Sequence, residues 1–239
     1  MSYLSGISKG KIQLNDLTLV YGVAGVGKTT FASQAPNPLF LPTEDGTSHM
    51  DVSRLERPKT WKDVLGIVTE LLGDSHGYST LVIDTLDGLE PLLFHHLTKG
   101  KTTIEDVGGG YGRYVGVVNN EWSRLMNGLA LLRANMNIII LAHAEIKKFE
   151  DPVNNQAYDR YQLKLYNQKS SMLWKEYVDC LLFANYEVVT KKDGSKVRAF
   201  GFGERKLYTE HRPSFDAKNR LGLPSEIELS YEEFSNNRQ

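Results

Sequence analysis

The sequence predicts an α/β fold: a mostly parallel central sheet flanked by helices, with an antiparallel β extension toward the carboxyl end. Three observations predict it. Between residues 17 and 142, short apolar β-prone runs alternate with segments whose apolar residues recur at helical spacing, the order that a parallel sheet requires. Gly22-Val23-Ala24-Gly25-Val26-Gly27-Lys28-Thr29 fits a phosphate-binding loop at each required position, between a candidate strand and a candidate helix. After Glu145 the alternation gives way to strand-like runs and a hairpin signal.

The elements follow in order. Residues 17–21 read as the first strand, and residues 28–34 as a helix that Pro36 ends. Residues 38–42 form a second buried strand, running into the polar turn Thr43-Glu44-Asp45-Gly46. Thr60 opens a helix whose apolar stripe is Trp61, Val64, Leu65, Val68, Leu71 and Leu72, with Thr60 and Asp63 as caps and Gly73 at its end. The strand at 80–83 delivers Asp84, and Leu89, Leu92, Leu93 and Leu97 mark the amphipathic helix behind it. Residues 99–114 are rich in glycine and read as a surface connector. Asn120 and Glu121 start a helix facing inward through Trp122, Leu125, Met126, Leu129 and Leu132, ahead of the apolar strand 137–142. Residues 158–165, 178–189 and 197–208 read as antiparallel strands, with a turn at Lys192-Asp193-Gly194. This divides the chain into an N-terminal segment (1–16), flexible or contacting a neighbouring copy, a core (17–227) and a polar tail (228–239) that frays.

Composition bounds the reading. At 239 residues, 41% hydrophobic and 24% charged, the chain suits one large domain of ordinary globular kind. A net charge of -1 excludes a generally basic nucleic-acid coat, so contact with DNA or RNA requires a local patch. Cys180 is the single cysteine, cannot form an internal disulfide, and fits a buried side chain in a reducing cytoplasm. No run approaches the roughly 18 apolar residues of a membrane span, and residues 1–10 lack a signal-peptide core, so a soluble cytoplasmic protein without membrane contact is expected. The histidines, His95-His96 included, show no metal-ligand spacing, and no zinc is expected.

The chemistry concentrates at strand ends. Backbone amides of a glycine loop turn toward a triphosphate, the lysine reaches its outer phosphates, and the hydroxyl holds magnesium. Contacts to a nucleoside triphosphate are therefore assigned to Gly22, Val23, Ala24, Gly25, Val26, Gly27, Lys28, Thr29 and Thr30, and Mg2+ to Thr29. Asp84, at the end of its strand, is the second magnesium partner; the bland alternative is a capping aspartate. Hydrolysis also needs a carboxylate to orient and deprotonate water. Thr85 follows Asp84, so the common aspartate-glutamate pair is absent, and Glu44 at the second strand's carboxyl end becomes the candidate base, with Asp87 and Asp45 behind it. His143 ends the 138–142 strand, where it can sense a terminal phosphate or simply be satisfied by water. Beyond it Lys147, Lys148, Phe149, Tyr158, Arg160, Tyr161, Lys164, Tyr166 and Lys169 mix cations with rings, as single-strand binders do. Glu150, Asp151 and Asp159 dilute this patch, and composition alone fits a solvated hairpin as well.

GVAGVGKTT, PTEDG, LVIDTLDGLEP, IIILAHAE and AKNRLGLP, in this order, resemble the RecA-like P-loop ATPase core shared by recombinases and ring helicases. More narrowly, the chain resembles phage AAA-type nucleotide-binding proteins acting as minimal RecA-core single-strand annealing proteins, over most of residues 17–224. The resemblance implies a DNA-stimulated ATPase with Lys28, Glu44, Asp84 and His143 at its centre. It implies single-stranded DNA as partner, contacted by Lys147, Lys148, Phe149, Arg160, Tyr161 and Lys164, with single-strand binding protein as a further partner. It also implies recombination or annealing in a host cytoplasm, and a homo-oligomeric ring or filament in which Lys218 and Arg220 reach a neighbour's terminal phosphate. From residues alone Lys218 and Arg220 are two solvated charges, and Arg205-Lys206 is a second candidate pair. Recombinases carry asparagine-glutamine where this chain has His143-Ala144, and the chain is too short for their extra DNA-binding domains. A loader using ATP as a switch and a small-molecule P-loop kinase are the alternatives; only residues 108–113 hint at the lid a kinase needs.

Overall fold

A computed structural model gives the arrangement and describes residues 7, 9–10, 14–73, 75–100, 102–152, 156–187, 189–193, 196–200 and 203–238. Most of the expected N-terminal segment, and Gly194 of the expected turn, lie outside the described residues. The first half runs β1 (Leu17–Gly22), α1 (Lys28–Ser33), β2 (Pro38–Pro42), β3 (Ser53–Arg54), α2 (Trp61–Gly73), β4 (Thr80–Asp84), α3 (Leu86–Thr98) and α4 (Tyr114–Leu132). The second half runs β5 (Asn137–Asp151), β6 (Gln156–Leu163), α5 (Gln168–Tyr177), β7 (Cys180–Tyr186), β8 (Val189–Asp193), β9 (Lys196–Phe200), β10 (Arg205–Tyr208), β11 (Lys218–Asn219), β12 (Glu226–Glu228) and α6 (Tyr231–Asn236).

A ten-stranded sheet organises the molecule, in the order β12-β10-β7-β1-β5-β4-β2-β3, with β11 added to β7 and β6 to β5. The strands from β7 to β3 along this order are parallel, and β10, β11 and β12 are antiparallel. Every residue of β1 is buried, as a central parallel strand covered on both faces requires. Leu17, Leu19 and Tyr21 face one layer, built from α2 to α5, and Val20 faces the other, built from α1 and α6. In the first layer Trp61, Trp122 and Trp174 pack edge to face, at 5.4 and 5.5 Å between ring centres.

Several elements differ from the sequence reading. The 178–189 run is not an antiparallel addition: its strand, β7, lies parallel to β1, with Thr18 opposite Cys180 and Gly22 opposite Ala184. The crossover that makes this possible is α5, which the sequence reading missed because only Ser170, Ser171 and Trp174 of its ten residues are buried. Its start was legible in Asn167, whose side chain accepts from the Ser170 amide at 2.8 Å. The 197–208 run divides into β9 and β10, and α4 begins at Tyr114 rather than Asn120. β5 does not stop at Ala142: it leaves the sheet after His143 and pairs with β6 as a hairpin out to Asp151. Residues 231–236 are no fraying tail, because α6 buries Tyr231 and Phe234 against Phe31.

Candidate active site

The order of strands assembles the site. β5 lies between β1, which carries the phosphate loop, and β4, which ends in Asp84. His143, opposite Gly22 at the last paired position, therefore emerges between Lys28 and Asp84. Within the loop Gly25 and Gly27 adopt positive φ, 75° and 106°, which lets the chain curl into α1. Gly22 is glycine for a different reason. A β-carbon there would stand 2.1 Å from the Ala184 carbonyl oxygen, so the first glycine of the motif admits the close approach of β7.

Lys28 is buried and donates to the carbonyls of Gly22 at 3.0 Å and Val23 at 2.9 Å. Burial pushes its pKa down, opposed by the charges of Asp84, Asp87 and Glu44. The Thr29 hydroxyl donates to Asp84 Oδ2 at 2.9 Å. Burial raises the Asp84 pKa, the Thr29 bond opposes that shift, and Glu44 adds to it. A hydroxyl and a buried carboxylate, both hard oxygen donors aimed at one point beside the phosphate loop, fit magnesium.

Glu44 arrives beside this pair through a cross-strand lock. The Thr43 amide donates to the Asp84 carbonyl at 2.7 Å, and the Thr85 amide donates to the Thr43 hydroxyl at 2.7 Å. The Thr85 hydroxyl then donates to Glu44 Oε1 at 3.2 Å while accepting the Gly88 amide that opens α3. Threonine in place of the second acid of the usual pair thus holds a carboxylate supplied from β2. The Glu44 side chain remains 47% exposed, open to water.

Asp87, which the sequence reading held only as a reserve base, performs another task. Its Oδ1 accepts the His143 backbone amide at 2.9 Å and its Oδ2 meets His143 Nδ1 at 2.9 Å. The Asp87 bond raises the His143 pKa against a smaller opposing effect of burial. Burial pushes the Asp87 carboxyl up, but the bonds from His143 and the charges of His143 and Lys164 outweigh it and hold it low. Glu44 Oε1 lies 3.8 Å from the same ring nitrogen. Glu44, Asp87 and His143 bring their polar atoms within 4.8 Å of one another, yet Asp87 and His143 already bond each other, and this pair faces a Glu44 carboxylate that the Thr85 hydroxyl holds.

Other expected residues lie elsewhere. Lys218 pairs with Leu181, at the amino end of β7, and Asp179 beside it bonds Leu17, about 17 Å of strand from Gly22. Its ammonium donates to the carbonyls of Lys175 at 3.1 Å, Glu176 at 2.8 Å and Val178 at 2.5 Å, capping α5. Arg220 stands 3.7 Å from Asp179 Oδ1. Arg205, by contrast, reaches the phosphate loop of its own chain, its Nη1 donating to the Val26 carbonyl at 3.5 Å. Of the expected DNA contacts, Arg160 is buried, ion-paired with Asp216 and set over the Phe149 ring, and Tyr161 packs 5.0 Å from Phe183. Lys147, Lys148 and Lys164 are exposed on the hairpin and at its base.

The AAA domain family pattern matches residues 15–221, well over half of the chain. The chain belongs to the AAA domain family. The core of this AAA domain is a P-loop ATPase core, with the nucleotide loop at the carboxyl edge of a mostly parallel sheet. Among solved structures, the flagellar accessory protein FlaH from Methanocaldococcus jannaschii is similar over 83% of this chain and 79% of its own, at 9% identity and a TM-score of 0.39. No curated protein matches the chain. Among the described residues, no helix is long and apolar enough to cross a membrane.

Proposed function

We propose that this AAA domain hydrolyses ATP with magnesium, binds single-stranded DNA and couples the two in strand annealing or recombination. The observation that carries the hydrolytic reading is the convergence of Lys28, Thr29, Asp84, Glu44 and the Asp87–His143 pair at adjacent strand ends. Thr29 and Asp84 would hold magnesium, which would neutralise charge on the phosphates. Glu44 takes a proton from the attacking water as the water oxygen bonds to the terminal phosphorus and the bond to the bridging oxygen breaks, leaving ADP. Its exposure lets the proton pass to solvent. Lys28 and the His143 imidazolium offset the charge that develops on the terminal phosphate. Arg205 supplies a further cation from the same chain, so the reading does not depend on Lys218 or Arg220 of a second copy. The oligomer and the annealing role rest on the sequence resemblance, and the exposed lysines of the β5–β6 hairpin support DNA contact.

Glu44→Gln is expected to keep nucleotide affinity and lose phosphate release about 100-fold or more, the usual worth of a general base, whereas Lys28→Ala loses nucleotide binding itself. Equilibrium binding of a fluorescent ATP analogue alongside steady-state phosphate release separates the two. Normal turnover in Glu44→Gln removes the base assignment. Stimulation by nucleosides in place of single-stranded DNA favours a kinase instead.

A further inference from the structure

A recess lies beside the Asp87–His143 pair. Between α3 and the base of the β5–β6 hairpin is a cleft of about 430 Å³, walled by Asp87, Glu90, Phe94, Lys147, Lys164 and Tyr166. Its chemistry is mixed in a specific way. Phe94 and Tyr166 meet edge to face, 5.4 Å between centres, and Tyr166 is 51% exposed. Glu90 is buried and accepts the Tyr166 amide at 2.9 Å, and burial together with Asp87 and Glu145 pushes its pKa up to about 8. Lys147 is ion-paired with Glu145 at 2.7 Å, and Lys164 is 57% exposed, with its ammonium 3.8 Å from Asp87 Oδ2. The Lys164 backbone amide also donates to the His143 carbonyl at 3.0 Å. One cation is thus tied twice to the pair that faces the phosphate loop.

We propose that this cleft takes one nucleotide unit of a single DNA strand, phosphate on Lys164 and base against Tyr166 and Phe94, and that Lys164 reports its occupancy to Asp87 and His143. The proposal rests on the DNA reading above and adds a site and a route to it. An exposed ring beside an exposed cation is what sequence-tolerant single-strand binding uses. When Lys164 turns to a phosphate, it stops sharing Asp87, and His143 becomes that carboxylate's single cationic partner among Lys164 and itself. Occupancy of the cleft therefore changes the charge environment at the ATP site without moving a strand.

The test titrates a fluorescent thymidine oligonucleotide into wild type, Lys164→Gln and Tyr166→Leu, across a range of salt. Lys164→Gln is expected to weaken binding about fivefold and to reduce the salt slope by about 0.7, the value for one lost contact to a single strand. Tyr166→Leu is expected to weaken binding about tenfold with the slope unchanged, the signature of lost stacking. At oligonucleotide concentrations that saturate Lys164→Gln, DNA-stimulated phosphate release should stay below that of wild type. Wild-type affinity and slope in both variants overturn the cleft while leaving DNA binding intact, and an effect of one variant alone overturns the two-point arrangement. Full stimulation of saturated Lys164→Gln overturns the route to His143. Absence of wild-type binding at low salt removes the DNA reading and the cleft together.

Discussion

Asp87 binds His143 by both its amide and its ring, and this pairing carries a pH consequence. The His143 pKa is raised above its ordinary value by the Asp87 bond, so the imidazolium persists to higher pH than a free histidine allows and is lost as pH climbs through the raised value. The charged groups around it are Asp87 on α3, Glu44 after β2, Asp84 at the end of β4 and Lys28 on α1, with Lys164 after β6 reaching Asp87. ATP turnover that uses this cation should fall on the alkaline side, and Asp87→Asn should move that fall to lower pH. A pH–rate profile of the two proteins checks this; superimposed alkaline limbs contradict the role of Asp87. Position in the sequence singled out Asp84 at the end of β4, Glu44 in the turn after β2 and His143 where β5 leaves the central sheet. It did not reveal the partner of His143, since Asp87 lies in the first turn of a helix and 56 residues away, and meets His143 only when β5 inserts beside β4.

At the scale of elements, the close contact of β1 with β7 and the seating of α6 are among the features the sequence pattern hid. A Gly22→Ala side chain would stand within 2.1 Å of the Ala184 carbonyl, so β7 must shift; a loss of about 2 kcal/mol or more is expected in denaturant unfolding, with nucleotide affinity falling too. A stable Gly22→Ala protein with wild-type midpoint contradicts that register. Phe234 is 2% exposed and packs 5.7 Å from Phe31 behind the phosphate loop, so Phe234→Ala should cost about 3 kcal/mol. A polar composition concealed this helix: only two of its six residues are buried, below what periodicity can resolve. The same limit hid α5, and without α5 the 178–189 run had no crossover and read as antiparallel. The strands β1, β2, β4 and β5 were legible because burial on both faces makes them continuous apolar runs.

Across the whole molecule, a net charge of -1 leaves no general attraction for DNA, so the proposed binding through the exposed lysines near the hairpin should weaken with salt. The parallel sheet gathers the ATP groups along one edge, while Lys218 and Arg220 stand at the other and hold α5 and Asp179. Lys218→Ala should therefore lower the unfolding midpoint by freeing the last carbonyls of α5, even in dilute protein where no second copy is bound. Loss of turnover at unchanged stability would instead support a finger reaching a neighbour. The central claim is that this AAA domain joins ATP hydrolysis at Glu44 to a single DNA strand. It is tested most directly by steady-state phosphate release, with and without single-stranded DNA, in wild type and Glu44→Gln. The account predicts magnesium-dependent release that single-stranded DNA raises in wild type, and release reduced about 100-fold or more in Glu44→Gln under both conditions. Equal release by the two proteins, or wild-type release indifferent to single-stranded DNA, contradicts it.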